Sequence, residues 1–143
     1  MINVTFVNWE EIDNDLFKYA VIAARYKGKW IFCRRKERTT WEIPGGHREL
    51  GEDINETAKR ELHEETGAYD FEIQPVAAYC VCNKTDSTYG MLYYADIKSI
   101  DELSADTEIA QIMLVDKLPD NLTYPNIQPC LFNHVLDYLG EEI

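Results

Sequence analysis

Three glutamates are spaced to meet on one side of a helix, and they have the clearest capacity for chemistry in this sequence. Place Ile54 at zero on a helical wheel, with the apolar stripe continuing through Ala58. Glu65 then falls at about 20°, inside the stripe, and Glu61 at about −20°, on its edge. Glu64 lies on the flank, about 80° from Ile54. A buried carboxylate without a partner costs several kcal/mol, and like charges so close raise each other's pKa. The pattern therefore predicts a cation among these side chains.

A divalent metal ion is the cation that these residue types favour. The neighbouring Arg60 is one positive charge against four nearby glutamates when Glu52 is counted, which is too little to compensate them. Hard carboxylate oxygens suit Mg²⁺ or Mn²⁺ better than zinc. The alternative, a solvated charged face, fits Glu56 and Arg60 at i,i+4, but it leaves acids on the apolar stripe unexplained. The carboxylates thus predict a hard-metal site.

The spacing around these glutamates resembles the signature of the Nudix hydrolase family. Gly46 is followed after five residues by Glu52 and after seven more by the run Arg60–Ala68, so residues 46–68 match G-x5-E-x7-R-E-U-x-E-E-x-G-U at every defined position, where U is apolar. Pro44-Gly45 and the strand layout extend the resemblance over most of the chain. The resemblance implies the Nudix fold, an α/β/α sandwich with a central mixed β-sheet, in a single domain of residues 1–143.

The resemblance implies hydrolysis of a nucleoside diphosphate linked to another moiety, with Mg²⁺, or Mn²⁺ as a substitute, between the phosphates and the helix carboxylates. It makes Glu64 and Glu65 the expected main metal ligands. Glu61 is expected as a further ligand or as the base that orients the attacking water. The Gly45 carbonyl is another expected ligand, since glycine lets the backbone approach an ion closely. Glu108, just before a strand, is either an additional metal ligand or a surface charge at a strand edge.

The other expected site residues are basic. Arg60 is expected to pair with Glu52 or Glu61 and to fix the junction between loop and helix, with direct phosphate contact as the alternative. His47 directly follows the glycines and is placed to touch phosphate. A basic stretch either steers phosphates or forms the solvated end of a hairpin. It comprises Arg34, Arg35, Lys36 and Arg38.

Segments outside residues 46–68 indicate the substrate class. Trp41–Glu49 and Leu118–Pro125 resemble MutT-like nucleoside triphosphate pyrophosphohydrolases of Gram-positive bacteria. Residues 83–86 carry neither the proline nor the tyrosine that marks ADP-ribose or dinucleoside polyphosphate hydrolases. In MutT-like enzymes an asparagine after a Leu/Phe-Pro pair reads the purine edge. Asn121 and Asn126 lie near that place, and either of them alternatively caps the following helix.

The resulting hypothesis is a Mg²⁺-dependent hydrolase that splits nucleoside triphosphates, including oxidised purine nucleotides such as 8-oxo-dGTP, into monophosphate and pyrophosphate. Pyrophosphohydrolysis of RNA 5′ ends is an alternative within the family, although the acidic composition counts against it. A non-catalytic module that senses a nucleotide is an alternative of another class, and the intact set of three glutamates disfavours it. The sequence leaves the oligomeric state open.

The strands that must position these residues predict a mixed α/β or α+β arrangement. Apolar and alternating runs indicate strands, and the turn Lys27-Gly28 joins the first two as a hairpin. The predicted strands are Tyr19–Arg25, Trp30–Arg35, a stub at Trp41–Gly46, Phe71–Val81, Thr88–Ile97 and Glu108–Val115.

Two helices complete the predicted arrangement. The first covers about Asp53–Glu65, with Asp53 or Asn55 as its N-cap and Gly67 as a left-handed C-cap. The second is an amphipathic helix over Ile127–Tyr138, followed by Gly140.

Composition and charge exclude several classes of protein. The chain has 143 residues, of which 45% are hydrophobic, so it can build a core. With 14 basic and 26 acidic residues, its net charge of −12 argues against non-specific binding to nucleic acid or anionic lipid. No apolar stretch approaches the ~20 residues that span a bilayer, and Met1–Glu10 shows no signal peptide, so we expect a cytoplasmic protein without a membrane partner. The four cysteines are expected to be buried, reduced thiols.

Overall fold

The computed structural model describes residues 2–140, which form seven strands and two α-helices. Met1 and residues 141–143, which the predicted domain includes, lie outside the described residues. The strands are β1 (Asn3–Val7), β2 (Phe17–Tyr26), β3 (Lys29–Arg35), β4 (Gly45–His47), β5 (Ala68–Cys82), β6 (Ser87–Ile100) and β7 (Ile109–Val115). The helices are α1 (Ile54–Thr66) and α2 (Gln128–Leu139), and two short 3₁₀ turns cover Trp9–Glu11 and Asn14–Leu16.

The strands form one mixed sheet in the order β1-β5-β6-β2-β3-β7, and β4 also pairs with β2. β2 and β6 run parallel, whereas the other described pairs are antiparallel. The β2–β3 hairpin turns at Lys27-Gly28, where φ is 53° and 79°. Positive φ at both central residues is the geometry of the tight turn that suits the twist of a hairpin. The predicted mixed sheet and its hairpin are therefore confirmed.

Helix α1 begins and ends where its capping residues predict. The Asp53 side chain accepts a hydrogen bond from the Asn55 N–H (2.9 Å). Gly67 ends the helix with φ 81°, and its N–H donates to His63 O. A Cβ at Gly67 would lie 2.1 Å from the Asp101 carbonyl oxygen, so close approach adds to the demand for glycine.

The two helices cover opposite faces of the sheet. The buried side chains of α1 pack with one core cluster; they are Ile54, Ala58 and Leu62. Those of α2 pack with a second cluster; they are Leu131, Phe132, Val135 and Leu136. Side chains alternate between the faces of a strand, so β2 contributes Ile22 to the first cluster and Ala23 to the second. This is the predicted α/β/α sandwich.

Two strand predictions differ from the structure. β1 was not predicted, because its five residues lie at a sheet edge with only half-buried apolar side chains. The stub predicted at Trp41–Gly46 is a strand only at Gly45–His47. Trp41 and Glu42 instead make isolated bridges to Leu122 and Cys33, and Leu122 lies in the loop before α2.

The cysteines and the helix lengths bear on two further expectations. All four cysteines are free, and Cys33 and Cys80 are buried. Cys82 is half-buried and Cys130 is exposed, so the expectation of four buried thiols is wrong for these two. Among the described residues, neither helix has the length and apolar character needed to cross a bilayer.

Candidate active site

A cleft of about 1100 Å³ brings residues from distant parts of the sequence together. A charged set of its lining side chains contains Arg35, Glu61, Glu64, Glu65 and Glu108. A second set, which we call the apolar set, contains Ile43, Tyr79, Val81, Ile127 and Leu131. The charged set comes from α1, β3 and the loop before β7. The apolar set comes from the segment before β4, from β5 and from the start of α2. Such a cleft suits a ligand with one highly charged part and one flat or apolar part.

Glu65 is the buried carboxylate of the cleft, with 9% of its surface exposed. Its Oε1 accepts a hydrogen bond from the Gly45 N–H (2.8 Å), and its Oε2 lies 3.7 Å from Arg35 Nη1. Burial raises the pKa of Glu65 to about 8, and the nearby Glu61 charge adds to the rise. The side chain therefore favours protonation or a close cation.

Glu61 shares this environment. Its side chain is 13% exposed, and burial raises its pKa above the usual value. Its carboxylate lies against the backbone of Gly46, where a Cβ would come within 2.2 Å of Oε2. Glycine at position 46 therefore leaves the space that the Glu61 carboxylate fills. Glu64 is the exposed member of the trio, with 53% of its side chain exposed.

Arg60 joins the loop after β4 to helix α1. Its Nε and Nη2 bind the two oxygens of Glu52 (2.7 and 2.9 Å), and its Nη1 binds Glu61 Oε1 (2.7 Å). It also donates to the His47 carbonyl (3.0 Å) and reaches Glu64 (3.3 Å). The hydrogen bond from Arg60 lowers the pKa of Glu52 to about 2. Both pairings predicted for Arg60 are present.

These contacts draw Arg60 to the same side of α1 as the carboxylates. The i,i+4 spacing favoured an Arg60–Glu56 pair, but the ion pairs of Arg60 run to residues 49, 52, 61 and 64. Two-point binding by Glu52 explains the difference, because a bidentate arginine–carboxylate pair is stronger than an exposed helix pair.

Arg35 is a second cation beside the carboxylates. The charge balance drawn from the sequence counted only Arg60, which is close to these acids in the chain, and left Arg35 out. It pairs with Glu65, Glu37 and Glu108. The hydrogen bonds that Arg35 donates, that to Glu37 foremost, raise its pKa. The sequence held a signal for it. Arg35 lies two residues after the buried Cys33, whose thiol donates to Glu65 O (3.5 Å), and strand alternation places both on the face toward α1.

The other predicted site residues divide into two groups. Gly45, His47, Glu108 and Arg38 line the cleft, and Arg38 pairs with Glu42 (2.6 Å) and reaches the Tyr124 hydroxyl (3.3 Å). The residues that do not line it are Arg34, Lys36, Asn121 and Asn126, and Glu52, the partner of Arg60, does not line it either. Arg34 donates to Arg38 O and Asn121 to Thr39 O, both at 3.0 Å, and Asn126 is exposed before α2.

Gln128, at the start of α2, lines the cleft and was not singled out in the sequence. It is only 5% exposed, and its Oε1 accepts a hydrogen bond from the Ile43 N–H (2.9 Å). A lone glutamine beside a proline gives no periodic signal, so only the folded structure shows that it is a buried polar group at the cleft.

The charged set fits a hard divalent cation by the type of its donors. Glu61 and Glu65 are covered carboxylates whose pKa values are raised, and a cation would relieve that cost. Within residues 2–140 no three His, Cys, Asp or Glu side chains converge as a metal-ligand cluster. Arg60 pairs with Glu61 and Arg35 pairs with Glu65 instead. These two ion pairs must rearrange before the carboxylates can converge on one metal ion.

Comparisons with known proteins agree with this geometry. The sequence profile of the NUDIX domain matches residues 16–131. YtkD of Bacillus subtilis (strain 168), which carries the provisional name 8-oxo-dGTP diphosphatase, is 32% identical over 110 residues, covering 77% of this chain and 69% of YtkD.

Solved structures show the same fold. The pyrophosphohydrolase BsRppH of Bacillus subtilis, in its E68A mutant, superposes with a TM-score of 0.77 and 25% identity over 95% of this chain and 90% of its own. A MutT NUDIX hydrolase from Burkholderia pseudomallei gives a TM-score of 0.66 with 18% identity, over 82% of this chain and 95% of its own.

Proposed function

The chain belongs to the NUDIX family, and from that premise we propose that this hydrolase is a Mg²⁺-dependent nucleoside triphosphate pyrophosphohydrolase. Its substrates in this proposal are purine nucleotides, including oxidised ones such as 8-oxo-dGTP, and its products are the nucleoside monophosphate and pyrophosphate. As a Nudix hydrolase it acts on small nucleotide substrates that contain a diphosphate linkage.

The observation that carries the proposal is the pairing of covered acids with an apolar set in one cleft. Glu61 and Glu65 form an anionic centre that can hold a polyphosphate only through cations. The apolar set beside it offers the half-buried side chain of Val81 to a base. The name carried by YtkD supports an oxidised guanine nucleotide as one substrate.

Nudix hydrolases generally use divalent metal ions, and this proposal assigns Mg²⁺, for which Mn²⁺ can substitute. When bound, the ion supplies charge neutralisation for the phosphates and a more acidic water. Glu64 and Glu65 would hold it, and Glu61 is a further ligand or the base that orients the water. The Gly45 carbonyl and Glu108 are additional candidate ligands.

The basic residues of the cleft have supporting roles in this proposal. Arg60 fixes Glu61 on the helix, and Glu52 in turn holds Arg60. Arg35, Arg38 and His47 line the cleft and are candidates to contact the phosphates. Water attacks the α-phosphorus, the bond to the oxygen bridging the α and β phosphates breaks, and pyrophosphate leaves.

Product analysis tests the proposal. The protein with Mg²⁺ is incubated with dGTP, 8-oxo-dGTP, ADP-ribose, a nucleotide sugar and 5′-triphosphate RNA, and the products are separated. We expect monophosphate and pyrophosphate from the triphosphates. Orthophosphate as the sole phosphate product, or ADP-ribose hydrolysed in preference to every triphosphate, would contradict the proposal.

Pyrophosphohydrolysis at the 5′ end of RNA is a second candidate function, favoured by the likeness to the pyrophosphohydrolase BsRppH along most of both chains. A mononucleotide-sized site can accept the 5′ end of RNA, whereas the net charge of −12 disfavours contact with a long backbone. Faster turnover of 5′-triphosphate RNA than of any free triphosphate would select this function. Absence of Mg²⁺-dependent turnover on all these substrates would select a nucleotide-sensing module.

A further inference from the structure

We infer that Cys80 and Cys82 are a peroxide-reactive pair of thiols, which closes a reversible disulfide within strand β5 and thereby weakens the binding of a nucleotide in the cleft. Neither cysteine lines the cleft, and neither has a role in the proposed hydrolysis. The formation of the bond is independent of the proposed function, whereas its effect on binding rests on the proposal that a nucleotide occupies the cleft.

The two thiols are neighbours on one face of β5. Cys80 and Cys82 are two residues apart, and side chains alternate along a strand, so both point to the same side of the sheet. Their Sγ atoms lie 2.7 Å apart, and both cysteines are free. The pairing of β5 with β6 runs without a register shift from Ala77 to Cys82, so a regular strand holds this arrangement. The thiols therefore stand in position to react with one another.

The surroundings of the pair let an oxidant reach it from solvent. Cys82 is half-buried, whereas Cys80 is only 7% exposed. The residues that pair with Cys82 are Asn3 on β1 and Ser87 on β6, and both are exposed. Burial and the hydrogen bond with Cys82 raise the pKa of Cys80 to about 11, so Cys80 keeps its proton at neutral pH. Cys82 is therefore the thiol that a peroxide meets first.

The reaction needs a peroxide as its only co-reactant. The Cys82 sulfur attacks one oxygen of hydrogen peroxide, the O–O bond breaks, and a sulfenic acid forms with loss of water. The Cys80 sulfur then attacks the sulfenic sulfur, the S–O bond breaks, and the oxygen leaves as water with the Cys80 proton. The two thiols together lose two electrons, and one hydrogen peroxide becomes two water molecules. A thiol reductant reverses the bond by exchange.

The bond reaches the cleft through Val81, which lies between the two cysteines. Val81 points to the opposite face of β5 and belongs to the apolar set. Residues i and i+2 of a strand have Cα atoms about 6.6 Å apart, whereas disulfide-bonded cysteines most often have them about 5.5–6 Å apart. Cys82 is the last residue of β5, so the end of the strand can follow the shorter distance. Closing the bond therefore tightens the pleat at Val81.

Movement of Val81 should affect nucleotide binding more than the chemical step. Val81 packs beside the second core cluster, and packed side chains lose contacts when they shift by a fraction of an ångström. The three glutamates of the charged set that lie on a helix belong to α1 and not to β5. We therefore expect the disulfide to raise KM and to change kcat little.

Trypsin isolates the pair, which makes the bond directly measurable. Cleavage at the basic residues on either side releases residues 61–84, which contain Cys80 and Cys82 but no other cysteine. The protein is reduced, freed of reductant, treated with hydrogen peroxide and alkylated, and the digest is measured by mass spectrometry. We expect this peptide to lose two hydrogen atoms and to regain them with dithiothreitol. A peptide alkylated at both cysteines after peroxide would overturn the inference.

Serine variants connect the bond to binding through steady-state kinetics with dGTP before and after peroxide. In the wild type KM should rise by about 5-fold or more, and dithiothreitol should restore it. Cys130→Ser is the matched control, because Cys130 is exposed on α2 and does not line the cleft, and it should respond like the wild type. Cys80→Ser and Cys82→Ser cannot close the bond and should keep their KM. A rise in either variant as large as in the wild type would overturn the role of the disulfide.

Calorimetric binding of dGMP separates this inference from the proposed function. If the protein splits no triphosphate, the proposed function fails, yet a disulfide within residues 61–84 that weakens dGMP binding still supports the inference. A disulfide that leaves dGMP binding to the wild type unchanged would overturn the inference, even where triphosphates are split to pyrophosphate.

Discussion

Glu65 is a buried carboxyl group, and replacing it by an amide tests whether its negative charge serves catalysis. Glu65→Gln keeps an acceptor for the Gly45 N–H and removes the charge. We expect kcat at saturating Mg²⁺ to fall by about 10²-fold or more, because charge stabilisation at a metal is lost. Folding should be unharmed, since repulsion with Glu61 is relieved. Steady-state kinetics and urea unfolding measure the two effects.

Glu56→Gln is the control for that variant, because Glu56 lies exposed on the same helix. It removes the same charge from α1 without touching the cleft and should keep wild-type turnover. Wild-type turnover in Glu65→Gln would remove Glu65 from the metal site. An equal loss in both variants would indicate a general effect of helix charge.

The raised pKa of Glu65 also predicts how stability depends on pH. The pKa of this carboxyl is about 8 in the folded protein and about 4.5 when unfolded, so the folded state binds the proton more tightly. The stability that this tighter proton binding contributes is fully present below about pH 4.5 and is lost as the pH rises through about 8. The pKa of Glu52, lowered to about 2, affects stability only at pH values below this window.

Urea unfolding in EDTA checks this expectation. The free energy of unfolding of the metal-free protein should decrease between pH 5 and pH 8, and Glu65→Gln should show a smaller decrease. A free energy that rises with pH across this range in the wild type would contradict the assigned protonation of Glu65.

For individual residues, the sequence predicted the degree of burial that follows from helix geometry. The wheel ordered the burial of the trio as Glu65, then Glu61, then Glu64, and the exposures follow that order. It could not predict Gln128, because the donor to its amide oxygen, the Ile43 N–H, lies 85 residues away in the chain. Contacts made only on folding leave no local pattern.

The C-cap of α1 fixes where the catalytic helix ends, and two glycines of similar backbone geometry measure its importance. Gly67 and Gly140 end α1 and α2 with φ 81° and 74°. Gly140→Ala should lower the free energy of unfolding by about 1–2 kcal/mol, which is the penalty of a left-handed alanine alone. No clash adds to it, because a Cβ at this position has no atom within 4 Å. Gly67→Ala should cost clearly more, because its Cβ would also meet Asp101 O. Urea unfolding compares them, and equal losses would show that this contact relaxes freely.

Elements with their own caps, turns or periodicity could be predicted from the sequence. Helix α1 carries Asp53 and Gly67 at its ends, and the β2–β3 hairpin carries Lys27-Gly28. β1 has none of these signals and exists because the edge of β5 accepts it along Asn3–Val7. Its position is determined by tertiary pairing, which overrides weak local preference.

The whole molecule carries a net charge of −12, and this charge predicts a response to salt. Without divalent ions, acidic groups repel one another, and added salt screens this repulsion. We expect the melting temperature in EDTA to rise as NaCl increases from low to roughly physiological concentration and beyond. Choline chloride should act alike if screening is the cause. A falling melting temperature would show that ion pairs such as Arg60–Glu52 outweigh the repulsion.

The family could be predicted from one 23-residue segment, whereas the composition of the apolar set could not. Residues 46–68 place the carboxylates on a single helix, so their spacing is visible in the sequence. The apolar set instead combines β5, the start of α2 and the segment before β4, which only the folded sheet brings together. The apolar lining of the cleft is therefore distributed over segments whose contacts are long-range.

The parallel pairing of β2 with β6 has a consequence for the synthesis of the protein on the ribosome. β2 leaves the ribosome early with the apolar run Ala20–Ala24, yet its parallel neighbour is complete only at Ile100. Until then one side of β2 has unpaired backbone groups, and distant pairings of this kind form slowly. The nascent chain therefore exposes an unpaired strand edge beside apolar side chains through much of its synthesis, and such an edge can pair with other chains.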